Sequence, residues 1–137
     1  MKREEIQILL RKEGYKATEG RVALIFELAK RKEPQTILSL SKRLKSVFDE
    51  TNIYRALESF VKSGFVRKID FQKSHAYYEL ALGEHHHHLV CAECGKIEDV
   101  DLCVDSIEKK ALKDSKSFSS IKSHSLEFFG ICRQCAR

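Results

Sequence analysis

Thr51-Asn52-Ile53-Tyr54-Arg55-Ala56-Leu57-Glu58-Ser59-Phe60-Val61-Lys62-Ser63-Gly64 runs directly into Phe65-Val66-Arg67-Lys68-Ile69-Asp70-Phe71. In the first part Ile53, Leu57, Phe60 and Val61 recur at i, i+4, i+7 and i+8, which makes one apolar helical face closed by Gly64. Thr51, Asn52, Tyr54, Arg55 and Glu58 fall largely off that face. The second part alternates as a strand does, Gln72-Lys73-Ser74 is a polar turn, and His75-Ala76-Tyr77-Tyr78-Glu79-Leu80 reads as the returning strand. A helix that runs at once into a β-hairpin is the end of a winged helix-turn-helix, provided that helices precede it.

They do. Ile6, Leu9 and Leu10 lie at helical spacing within residues 3–13, ahead of a stop at Gly14. Val22, Ile25, Phe26 and Ala29 repeat the pattern over 21–32, with Thr18 as N-cap. After Pro34, Ile37, Leu40, Leu44 and Val47 mark a third helix up to a break at residues 48–50. Such a module lays its last helix in the DNA major groove and its wing along the backbone. Helix-rich domains of this size also serve as protein-interaction modules, so element order alone does not decide between them.

Beyond Leu80 the character changes. Ala81-Leu82-Gly83-Glu84 has the composition of a hinge and leads into His85-His86-His87-His88. Strands are expected at 89–91, 96–100 and 126–131, with a helix at 106–112, which makes a small α/β domain. The expected fold class is α+β: a winged helix-turn-helix over residues 1–80, a hinge at 81–84, and a metal-binding domain over 85–137. At 137 residues each half buries little surface, so a metal, a partner chain or both should support it.

Charge separates the halves. Residues 1–80 carry 17 Lys and Arg against 11 Asp and Glu, whereas residues 81–137 carry 8 against 9. A basic first domain suits a polyanionic partner such as double-stranded DNA, and a solvated basic surface is the plainer alternative. No run of 18 apolar residues could span a bilayer, and the charged first 25 residues do not read as a secretory signal, so the cytoplasm is the expected compartment.

The strongest chemical signal is a pair of C-x-x-C knuckles, Cys91-Ala92-Glu93-Cys94 and Cys132-Arg133-Gln134-Cys135. Each puts two sulfurs on one tight turn, and two such turns complete a closed tetrahedral cage for a structural Zn²⁺. A thioredoxin-like redox pair and a set of buried free thiols are the competing readings; redox pairs occur singly ahead of a helix. Five cysteines in a reducing compartment argue against disulfides, and Cys103, outside both pairs, is expected to fill core space. In the histidine run, side chains alternate if the segment is extended, so His86 and His88 share one face and His85 and His87 the other. Glu79, Asp99, Glu108 and His124 stand where they could join them, and imidazole with carboxylate suits Fe²⁺, Mn²⁺ or Zn²⁺. An enzyme would need an open metal position beside a general base, and neither a Gly-rich phosphate loop nor a nucleophile motif accompanies these residues.

Taken together, these motifs resemble the ferric uptake regulator (Fur) family over nearly the whole chain. The resemblance is carried by Gly14-Tyr15-Lys16-Ala17-Thr18 with Arg21, by Thr51-Asn52-Ile53-Tyr54-Arg55-Ala56-Leu57, and by Glu79 with His86 and His88. Cys91-x-x-Cys94-Gly95-Lys96-Ile97 and the stretch from His124 to Cys135 complete it. The resemblance implies a homodimeric, metal-dependent transcription factor, usually a repressor, dimerised through its C-terminal domain and free of any membrane. It implies a regulatory metal at Glu79, His86 and His88 with Asp99 as a further ligand, and a second site at His85, His87, Glu108 and His124. The expected DNA contacts are Lys16, Thr51, Asn52, Tyr54 and Arg55. The chain departs from the family at Lys32-Glu33-Pro34-Gln35-Thr36, where members usually supply a histidine ligand from the DNA-binding domain; Glu33 or Gln35 is a weak substitute, and otherwise Glu79 is the remaining link. Zinc-sensing members often carry a cysteine at the regulatory site, so Glu79 favours Fe²⁺ or Mn²⁺. A peroxide-responsive relative, or a constitutive DNA binder whose zinc is only structural, is the alternative.

Overall fold

The computed structural model describes residues 1–31, 33–81, 86–102, 104–122 and 124–137, and only the backbone of Val104 and Asp105. It divides into two compact units, Met1–Leu82 and Gly83–Arg137. Most of the hinge expected at 81–84, together with His85 and Cys103, lies outside the described residues.

The first unit runs α1 (Arg3–Lys12), α2 (Glu19–Lys30), α3 (Ile37–Leu44), α4 (Glu50–Lys62), β1 (Val66–Ile69) and β2 (Tyr77–Leu80). Three of its helices begin on side-chain caps. Thr18 accepts from the Arg21 N–H, Thr36 from Ser39 and Asp49 from Asn52, and each such cap contributes about 1 kcal/mol. The expected third helix stops three residues early. The N–H groups of Val47 and Phe48 both turn back to the Leu44 carbonyl, and this tight turn leaves Asp49 in the extended conformation that caps α4. At the far end of α4, Gly64 adopts φ +80°, Phe65 N–H bonds the Phe60 carbonyl and Gly64 N–H bonds that of Val61. That left-handed stop turns the chain straight into β1.

Ile6, Leu10, Leu24, Ile25, Leu40, Ile53, Leu57 and Phe60 pack into one core with no exposed surface. The antiparallel hairpin β1–β2 closes it. Val66 pairs with Leu80 and Lys68 with Tyr78 on one face, and Arg67 pairs with Glu79 and Ile69 with Tyr77 on the other. Val66, Tyr78 and Leu80 pack on the helical core, so the period of two places Arg67 and Glu79 on the face turned away from it. Gln35 adds a third rung through two backbone bonds to Tyr78, of 2.8 and 2.7 Å.

The second unit contains β3 (His87–Cys91), β4 (Ile97–Val100), α5 (Val104–Asp114) and β5 (Glu127–Gly130). Its sheet has the order β4-β3-β5, antiparallel between β3 and β4 and parallel between β3 and β5. Strand β3 starts two residues earlier than the sequence suggests, because His87 and His88 pair with Val100 and Asp99 across the ladder. Among the described residues, the buried apolar side chains of this unit are Val90 and Cys91. Phe118 (74% exposed), Leu89, Phe128, Phe129 and Ile131 stand open to solvent. A sheet with so little buried beneath it needs support from outside its own hydrophobic surface.

Candidate metal centres and nucleic-acid interface

Strand pairing brings the two cysteine knuckles together. Cys91 ends β3 opposite Gly130 of β5, and Cys132 follows two residues later. Gly95, at φ +79°, donates its N–H to the Cys91 carbonyl, and Ala136 donates to that of Cys132. The four sulfurs all lie within 4.8 Å of one another, with Cys94 and Cys132 Sγ 3.7 Å apart. A tetrahedral Zn²⁺ with bonds of about 2.3 Å separates its sulfurs by about 3.8 Å, whereas a disulfide holds them at about 2.05 Å. The donor set therefore fits zinc, and these four cysteines are free thiols.

The backbone prepares the ligand state. Hydrogen bonds from the N–H of Cys94, then of Cys132, bring the Cys91 thiol down to about 6, and the latter amide lies 3.4 Å from its sulfur. The N–H of Cys135 likewise lowers Cys132. Cys135 is pushed up to about 12, because its thiol donates to Cys132 and Cys94. Negative charge is thus favoured on Cys91 and Cys132 before any cation arrives, whereas Cys135 gives up its proton when metal binds, the thiolate being the ligating form.

The histidines fall into two sets by strand alternation. His86 and His88 lie with ring centroids 5.0 Å apart, and His88 Nε2 is 3.6 Å from Asp99 Oδ1 of the paired strand. On the other face of β3, His87 Nδ1 lies 2.9 Å from the Leu126 carbonyl. A carbonyl only accepts, so the proton is on Nδ1. His124 Nδ1 lies 2.6 Å from Glu108 Oε1, which assigns its proton the same way. The two Nε2 atoms then face each other at 3.3 Å. Two nitrogens bound to one tetrahedral ion at about 2.05 Å would lie about 3.3 Å apart. Glu108 reaches this set through His124, in the manner of a carboxylate that orients a ligating imidazole.

In the first unit, Glu79 is buried and pairs with Arg67, Nε to Oε1 3.7 Å. The loop before α3 offers no spare ligand at Gln35. Its Oε1 accepts from Arg43 Nη1 (2.8 Å) and Ser39 Oγ (3.1 Å), and its Nε2 donates to the Glu33 carbonyl (2.8 Å). Sequence reasoning missed both Arg43 and Arg67. The hairpin pattern carried a signal for Arg67, since a register placing it opposite Glu79 follows once the turn is fixed.

On α4, Ile53, Ala56, Leu57 and Phe60 are buried, whereas Thr51, Asn52, Tyr54 and Arg55 are exposed. Tyr54 is 51% exposed, although an aromatic ring at this position would ordinarily be drawn into the core. Lys16 is held nearby by its neighbour: the Tyr15 hydroxyl donates to the Ser59 carbonyl (3.0 Å), and its ring meets Phe60 edge-on at 4.8 Å. Arg21 caps this arrangement, donating to the Lys16 carbonyl and lying 5.8 Å over the Tyr15 ring. The segment 14–18 is thereby fastened to α4, with the Lys16 side chain exposed.

Residues 12–129 match the model of the Ferric uptake regulator family. A ferric uptake regulation protein of Bacillus subtilis is 30% identical over 140 residues, covering 96% of this chain and 93% of that one. Another, from Legionella pneumophila, is 39% identical over 84 residues, 61% of this chain and 60% of its own length, so the match spans less than two thirds of that relative. Among solved structures, the ferric uptake regulator from Francisella tularensis with iron superposes with a TM-score of 0.71 at 26% identity, over 90% of this chain and 96% of that one.

Proposed function

The chain belongs to the ferric uptake regulator family, and from that premise we propose that it is a homodimeric transcriptional repressor whose hold on DNA is set by a divalent metal. The observation that carries the reading is the outward face of α4. Thr51, Asn52, Tyr54 and Arg55 stand exposed at its N-terminal half while every fully apolar position is spent on the core, the arrangement of a helix made to enter a groove. Residues 1–80 form the DNA-binding domain, 81–84 the hinge, and 85–137 the dimerisation domain. The exposed Phe128 and Phe129 on edge strand β5 support that last role, since an open edge with large apolar side chains calls for a partner.

Cys91, Cys94, Cys132 and Cys135 hold the structural Zn²⁺, which supplies stability and no open coordination position. Glu79, His86 and His88, with Asp99, hold the regulatory metal. Their nitrogen and oxygen donors favour Fe²⁺ or Mn²⁺, as the absence of thiolate among them does, and the iron in the Francisella protein agrees with this choice. His85, His87 and His124 form a second site, with Glu108 orienting His124. Metal binding at the first site stabilises one arrangement of the two domains, and DNA selects the same arrangement, so each raises affinity for the other.

The α4 assignment is tested with duplexes enriched from a random-sequence pool by the Mn²⁺-loaded protein. Arg55→Ala is expected to weaken binding to selected and random duplexes alike and to reduce the salt slope by about one unit, as loss of one phosphate contact does. Tyr54→Ala is expected to cost about tenfold more on selected than on random DNA, through lost apolar contact with thymine methyls. Parent-like binding by both variants would place the DNA on another surface.

A further inference from the structure

Arg67 is absent from every ligand set above, yet it stands directly across the hairpin from Glu79. Its Nε lies 3.7 Å from Glu79 Oε1, with the arginine side chain 26% exposed and the glutamate 10% exposed. Shielding of that degree leaves charge interactions stronger than they are at an open surface. A divalent cation bound to the same carboxylate would sit about 2.1 Å from oxygen. The guanidinium would then lie within a few ångströms of the cation, and like charges at that range repel strongly unless the arginine turns outward into solvent.

We propose that Arg67 is the counter-ion of Glu79 in the metal-free state and that it sets the metal threshold of the regulator by competing with the cation for this carboxylate. The proposal rests on the assignment of Glu79, His86 and His88 to the regulatory site. Its weight comes from the loop before α3. Pro34 carries no ligand group, and the Gln35 amide is consumed by Arg43, Ser39 and the Glu33 carbonyl. The Glu33 carboxylate is exposed, which leaves Glu79 as the buried carboxylate through which the winged helix senses metal. An arginine on that one ligand acts on the coupling between metal and DNA as well as on affinity. Arg67 is a positioning residue: it touches the ligand, and it loses its partner when the metal arrives.

The test uses the zinc-loaded dimer of this chain and reads the Mn²⁺ concentration that gives half-maximal binding to the selected duplex. Arg67→Met keeps the side chain's length and removes its charge, and it is expected to lower that midpoint about tenfold. Arg67→Lys, which retains the charge, should stay within about threefold of the parent. In a Glu79→Gln background, where Mn²⁺ affinity is read by direct titration of metal binding at His86 and His88, the further change Arg67→Met should shift that affinity less than twofold, because the competitor then has nothing to compete for. A parent-like or raised midpoint in Arg67→Met overturns the proposal, and so does a tenfold gain that survives in the Glu79→Gln background. Paired substitution His86→Ala with His88→Ala separates the two levels. If it abolishes the Mn²⁺ response while Arg67→Met is parent-like, only the role of Arg67 fails; if it leaves the response intact, the site and the proposal fall together.

Discussion

A Cys91→Ser chain is expected to lose its zinc, unfold its second unit and cease to dimerise. Within that unit Val90 and Cys91 are the buried apolar side chains among the described residues, so hydrophobic burial cannot replace the metal. Structural zinc supplies on the order of 10 kcal/mol in small domains, as much as the whole stability of about 5–15 kcal/mol typical of a folded protein. The loss is therefore larger than the margin available. It also reaches beyond one ligand, because Cys91 is the last residue of β3 and its sulfur accepts the Cys132 N–H that ties in the other knuckle. Metal analysis and sedimentation check both points. A zinc-free Cys91→Ser protein that remained a folded dimer would show that the four sulfurs are not a structural site.

Paired substitution His86→Ala with His88→Ala is expected to have the opposite profile: zinc content and dimer unchanged, the metal response of DNA binding gone. His88 pairs with Asp99 of β4, the His86 ring just ahead of β3 lies beside it, and the first zinc knuckle begins at the far end of the strand. Alanine is accommodated at either position without disturbing the Cys91 end of the ladder. A regulatory coupling of this kind is typically worth about 5- to 150-fold in affinity, and the double variant should show no gain in DNA affinity on adding Mn²⁺. Separating the two profiles matters, because a loss of metal response that came with a loss of zinc would report unfolding.

Much of this was legible in the residues. The C-x-x-C pairs spoke for themselves, since four sulfurs at that spacing admit few other uses. The face of α4 followed from Ile53, Leu57, Phe60 and Val61 at helical spacing. What stayed hidden depends on register and partners. The four histidines carry no hydrophobic pattern, so the sequence marks β3 only from Leu89, and pairing with Val100 and Asp99 extends it back to His87. The Arg67–Glu79 pair requires the hairpin register, which a polar turn of uncertain length does not fix. Gln35 looked like a substitute ligand because sequence shows its amide and not the three groups that use it. That the second unit buries little follows from its length, but which large apolar side chains stay exposed in the single chain, Leu89, Phe128, Phe129 and Ile131, does not.

The most direct test is DNA affinity of the unaltered, zinc-loaded protein, measured on one selected duplex with Mn²⁺ present and again after a chelator mild enough to leave the zinc in place. A metal-dependent regulator is expected to bind at least about tenfold more tightly with Mn²⁺, with zinc content equal in both samples. Equal affinity in the two conditions, also when Fe²⁺ replaces Mn²⁺, would contradict a metal switch and leave a constitutive DNA-binding protein supported by structural zinc alone.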